Sequence, residues 1–151
     1  MFNQMTITPM SGSQFQKAFW ANMLWVNISG LPRYFLVIKP MLHSALPTLA
    51  GVAPVSLPIL ASWGVWTLGF VLATTGFYWM YFERNGRGIS QVVRAGLWAT
   101  VATIGLTWLG ISNMGLLPLT FFFVAMAWAT IEQIVSASIV ARFLGSGAAT
   151  T

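Results

Sequence analysis

The sequence contains no cysteine and no aspartate; its only acids are Glu83 and Glu132, and its only histidine is His43. These absences exclude most site chemistry within a single chain. A structural zinc site takes three or four Cys, His or carboxylate ligands, an iron–sulfur cluster ordinarily takes four thiolates, and a glycosidase needs two facing carboxylates. A bis-histidine haem cannot be built from one imidazole. His43 is therefore at most a single axial ligand, and its place in a connecting segment reads more simply as an interfacial histidine. Charge is scarce as well: 6% of the 151 residues are charged and 57% are hydrophobic, and the mean hydropathy is +0.76. That is too little charge to cover a soluble surface of this size, and the composition is that of an integral membrane protein. The formal charge of +5 comes from seven basic residues spread along the chain. In a membrane protein such residues set topology, so nucleic-acid binding is not expected.

Apolar stretches at 58–82, 91–111 and 118–141 predict three transmembrane helices. At about 1.5 Å per residue, each is long enough to cover a hydrocarbon core of about 30 Å. Pro58 and Pro118 open the first and the third, in first-turn positions where a missing N–H is not needed. Phe77, Tyr78, Trp79, Tyr81 and Phe82 pile up just before Glu83, Arg84 and Arg87, as an aromatic belt does where it meets headgroups. Trp79, Tyr81, Arg84, Arg87, Arg94 and Arg142 are accordingly the expected interface anchors. Asn85, Gly86 and Gly88 supply turn chemistry in the loop at 83–90. The short link at 112–117 makes the second and third spans a tight antiparallel hairpin. The tail at 145–151 is small and polar and is expected to be flexible.

Residues 1–57 are less regular. Ser13 and Gln16 have capping-box spacing, and a helix over about 13–29 is predicted, followed by Gly30 and Pro32 and then by Arg33 and Lys39. Two accounts stand: an interfacial helix, or a broken span over 18–38. The segment 41–57, with Pro47 and Pro54, reads as an irregular connection. Residues Met1 to Met10 lack the basic and apolar regions of a signal peptide, so none is expected. The fold class is thus all-α: an integral membrane helical bundle of three transmembrane helices plus a fourth, broken or interfacial, N-terminal helix. Arg84, Arg87 and Arg94 gather at the 83–90 loop while 112–117 carries no charge. The 83–90 loop and the C-terminus, with Arg142, are therefore expected to be cytoplasmic. Lys17 joins that side only if 18–38 crosses, which favours four crossings.

One residue is costly. Glu132 lies near the middle of the third span, where an acid is unfavourable by about 2.5–3.5 kcal/mol on insertion scales. Gln133 and Ser136 share its arc, and Thr100, Thr103 and Thr107 line one face of the second span, so these six form the expected intramembrane polar site. Small residues mark the expected packing faces: Gly69, Ala73 and Gly76 on the first span, Gly96 and Gly110 on the second, Ala125 and Ala129 on the third. Glu132 reads as a protonated, hydrogen-bonded fastener between helices, as a proton- or cation-coupling group, or as a polar contact to lipid, quinone or pigment. Arg94 lies too far along its own span to serve as counter-ion.

With no ligand set, no nucleophile beside a base and no soluble domain, the expected function is non-catalytic: an accessory or structural subunit of a larger membrane complex. Its expected partners are the lipid bilayer and other membrane subunits or further copies of itself. The sequence requires no cofactor, although eight tryptophans suit contact with a lipid, quinone or pigment. The alternative is a homo-oligomeric proton-coupled transporter using Glu132. In that physical logic the chain is similar to the small multidrug-resistance transporters, which combine a few short helices, one embedded Glu and aromatic side chains. Those transporters carry the acid in their first span, and this chain carries it in its last. An enzyme would need Glu132 or Tyr78 as its acid–base group.

Overall fold

The computed structural model describes residues 12–45 and 56–144; residues 1–11, most of the connection expected at 41–57 and the tail at 145–151 lie outside them. Among the described residues 93% are helical and none lies in a strand. In chain order the elements are α1 (Gly12–Arg33), a π turn (Tyr34–Ile38), α2 (Lys39–Ala45), α3 (Leu57–Asn85), α4 (Ile89–Thr100), a second π turn (Val101–Gly105), α5 (Leu106–Asn113) and α6 (Leu119–Leu144). Three stretches are long and apolar enough to cross a membrane: Leu57–Asn85, Ile89–Asn113 and Leu119–Leu144.

The ends of these helices follow local chemistry. Pro58 occupies the first turn of α3, and the helix runs through Glu83 and Arg84 until Gly86, whose φ of 78° stops it. That conformation is open to glycine and strained for other residues. Between α5 and α6 Gly115 does the same at φ 72°, with its N–H donating to Ser112 O at 3.0 Å. Gly30 and Pro32, expected to interrupt the N-terminal helix, do not end it: α1 continues past Ser29 to Arg33 with Pro32 inside. The irregularity comes just afterwards, as the π turn in which Lys39 N–H donates to Tyr34 O. Pro40 explains it. A proline ring crowds the carbonyl four residues back and offers no N–H, and a π turn widens the ladder where that bond is lost.

α1 runs antiparallel to α3. The rings of Phe15 and Trp79 meet at 5.5 Å near one end, and those of Tyr34 and Trp63 meet at 5.2 Å toward the other. α6 packs against α1, α3, α4 and α5 and forms the centre of the bundle. The tightest crossing is between α4 and α6 at Gly96, where an added Cβ would stand 2.8 Å from Ile134 Cα and 2.9 Å from its N. The main core, Ala18, Tyr78, Trp79, Phe82, Ala95, Ala99, Ala137 and Val140, lies at the end of the bundle where α1 and α4 begin and α3 and α6 finish. Lys17, Arg84, Arg87, Arg94 and Arg142 are all exposed around that end.

The packing faces are distributed unevenly. Ala125 and Ala129 are buried on α6, and Gly96 carries the α4–α6 crossing. The small face of α3 is turned outward: Gly69 and Ala73 are exposed, and nothing lies within 4 Å of a Cβ built on Gly69 or Gly76, nor of one built on Gly110 of α5. α3 instead buries Thr67, Val71, Thr74, Thr75, Tyr78, Trp79 and Phe82. That stripe wins because it offers hydroxyl groups to the polar residues of α1 and α6 and large apolar area to the core.

Candidate functional site

The polar interior is built from α1, α3 and α6. Glu132, midway along α6, forms an ion pair through Oε2 with Nη1 of Arg33 at the end of α1. Its other oxygen, Oε1, accepts from Trp128 Nε1 at 3.0 Å, one helical turn earlier. Its backbone carbonyl accepts from Trp25 Nε1 at 3.1 Å. The carboxylate is thus held from its own helix and from α1. Arg33 supplies compensating charge, as a buried acid requires.

Gln133 and Ser136 make separate links. The Tyr78 hydroxyl is shared between the backbone carbonyl of Gln133, at 3.1 Å, and the side-chain Oε1 of the same residue. Ser136 Oγ donates to Asn22 Oδ1 at 2.7 Å, and Asn22 Nδ2 donates to Thr75 Oγ1 at 3.0 Å. Asn22 therefore bridges α3 and α6 from a fully buried position. The threonines expected to reach Glu132 and Gln133 do not take part. Thr100, Thr103 and Thr107 each donate to a carbonyl one turn back in the same helix, at 2.8, 2.6 and 2.8 Å. A threonine in a helix satisfies its hydroxyl locally without any partner helix, and this option prevails here. Among the described residues, Ser112 Oγ is the one buried side-chain polar atom with no hydrogen-bond partner.

The anchor residues divide as well. Arg84, Arg87, Arg94 and Arg142 are exposed, whereas Trp79 is buried in the main core and donates to Glu83 Oε1 at 2.9 Å. Tyr81 donates to Gln91 Oε1 at 3.0 Å, tying the end of α3 to the start of α4. His43 is exposed on α2, and among the described residues no group of three His, Cys, Asp or Glu side chains converges on a metal position.

A cleft of about 580 Å³ opens between the second half of α1, the first half of α3 and α5. Tyr34, Trp63, Trp66 and Trp108 contribute aromatic surface to it, and Arg33, Asn27, Ser62 and Thr67 contribute polar groups. Arg33 therefore faces two ways, toward Glu132 and toward the cleft, with its side chain 22% exposed against 7% for Glu132.

Sequence reasoning missed Arg33, Asn22, Trp25 and Trp128 as members of this site. One signal was present for Arg33. Two opposite charges, Glu132 and Arg33, each sat in an apolar context without a headgroup to explain it, and pairing them removes both costs. The chain matches no known protein-family model, no curated protein and no solved structure.

Proposed function

We propose that the chain is a small integral membrane protein that performs no catalysis itself and serves as an accessory or structural subunit of a larger membrane assembly. The observation that carries this reading is the use made of Glu132. The single embedded acid is occupied on both oxygens, by Arg33 and by Trp128, and Gln133, Ser136, Asn22 and Tyr78 are likewise engaged in fastening one helix to another. Interior polarity spent on helix fastening makes a rigid docking element. Outside, large apolar side chains such as Trp20, Leu36, Val65, Trp98, Leu106 and Phe123 stand exposed, a surface suited to lipid and to the helices of partner subunits.

In this reading α1 is a fourth crossing, because it lies alongside α3 for most of the length of that helix. The cytoplasmic side is the end bearing Lys17, Arg84, Arg87, Arg94 and Arg142, five of the seven basic residues, in keeping with the excess of Lys and Arg on that side of membrane proteins. The 83–90 loop and the end of α6 then face the cytoplasm.

Gentle extraction from the native membrane followed by native mass spectrometry tests the role. Foreign subunits in fixed stoichiometry are the expected result. A homo-oligomer carrying only lipid would overturn it, and transport lost in a Glu132→Gln variant that still assembles would put the proton-coupled transporter in its place.

A further inference from the structure

We propose that the cleft beside Arg33 is a binding site for a neutral, flat, hydrogen-bond-accepting lipophile, the chemistry of a quinone ring with an aliphatic tail. The proposal rests on the chain lying in a bilayer, and it is independent of the accessory role. Three observations carry it. The first is size and wall chemistry: about 580 Å³ falls within the range of small-molecule sites, which are mostly apolar with a few placed polar groups. Trp63 and Trp66 line it on α3 and Trp108 on α5. Trp63 is braced edge-on by Tyr34 at 5.2 Å, and Trp66 is stacked on Phe70 at 5.3 Å. Such surfaces favour stacking on a planar ring.

The second is the donor. Arg33 has five N–H groups in a fixed fork, and its hydrogen bond to Glu132 uses Nη1 alone among the described residues. Donors therefore remain for a carbonyl acceptor in the cleft. The third is charge and depth. Glu132 already neutralises Arg33, so the cleft offers hydrogen bonds without net charge. Trp63 and Trp66 on the cleft wall stand six and nine residues into α3, about 9–14 Å from its end at about 1.5 Å per residue. An anionic headgroup drawn to that depth would meet the penalty for charge in hydrocarbon. A neutral ring with carbonyl oxygens meets none.

Gly30 makes the site testable. It lines the cleft, and an added Cβ would find only Arg33 Nη2, at 3.9 Å, so a larger side chain there fills the cleft and leaves the core untouched. The experiment is photolabelling of the full chain in phosphatidylcholine nanodiscs with an azido-benzoquinone bearing a decyl tail, followed by peptide mapping. Saturable labelling is expected within 26–38 and 62–67, competed by unlabelled decyl-benzoquinone. It should fall at least about tenfold in Gly30→Leu and stay at the wild-type level in Gly69→Leu, whose site on α3 points outward. Trp66→Leu, which alters an exposed wall residue, should weaken labelling several-fold and serves if Gly30→Leu fails to fold. Labelling that does not saturate, or that is indifferent to both cleft variants, would overturn the proposal. Competition by oleate in preference to the unlabelled quinone would also overturn it, by showing an anionic amphiphile to be the occupant.

Discussion

Arg33 and Glu132, separated by 99 residues of sequence, form the ion pair that joins the end of α1 to the middle of α6. A pair of this kind adds little compared with a well-packed apolar replacement, but removing one partner leaves the other charged and isolated.

That asymmetry gives the first prediction. Arg33→Met or Glu132→Met alone should each destabilise the solubilised protein by about 3 kcal/mol, at the low end for a buried pair because Arg33 borders the cleft. The double variant should recover more than half of the summed loss. Thermal unfolding of the three variants in one detergent checks this, and strictly additive losses would contradict the coupling.

Asn22 makes two interhelical hydrogen bonds, to Thr75 and from Ser136. Such bonds between membrane helices average about 0.6 kcal/mol each. Asn22→Leu should therefore cost about 1 kcal/mol, less than loss of Arg33. Hydrogen exchange should rise along α1 more than along α6. A loss larger than that of Arg33→Met would mean that the asparagine, more than the ion pair, holds α1 in place.

Gly96 and Gly69 are both helical glycines with opposite surroundings. Gly96→Ala drives a methyl group into the backbone of Ile134 and should cost about 1–3 kcal/mol, as overpacking does. Gly69→Ala meets nothing and should be neutral or stabilising by up to about 1 kcal/mol through helix propensity. Equal effects in thermal unfolding would show that the α4–α6 crossing is not close-packed.

Topology can be read directly, because the chain has no cysteine of its own. Single replacements Lys17→Cys and Arg87→Cys should be labelled by an impermeant maleimide from the cytoplasmic side. His43→Cys and Asn113→Cys should be labelled from the opposite side. If Lys17→Cys is instead labelled from the same side as His43→Cys, α1 does not cross and the four-crossing arrangement fails.

How much of this was legible beforehand varies with the kind of interaction. The three long helices were predicted within a few residues of their ends, since apolar length, Pro58 at a first turn and Gly86 after a last turn act locally. The closeness of α4 to α6 was foreshadowed by Gly96. The outward placement of Gly69 and Ala73 was not, because a small stripe marks where helices can meet and does not say which face has the better partner. The threonine stripe misled for a related reason: its hydroxyls had local acceptors that needed no tertiary contact.

The sequence by itself determined the all-helical class, the three helices long and apolar enough to span a membrane and the presence of one acid amid apolar residues, since composition, periodicity and desolvation cost are properties of the chain. Only the tertiary structure decided what compensates it. The antiparallel course of α1 along α3 brings Arg33 to Glu132, Asn22 to Thr75 and Ser136, and four aromatic residues to one cleft. Those meetings depend on how helices distant in sequence pack, and no local pattern encodes the partner.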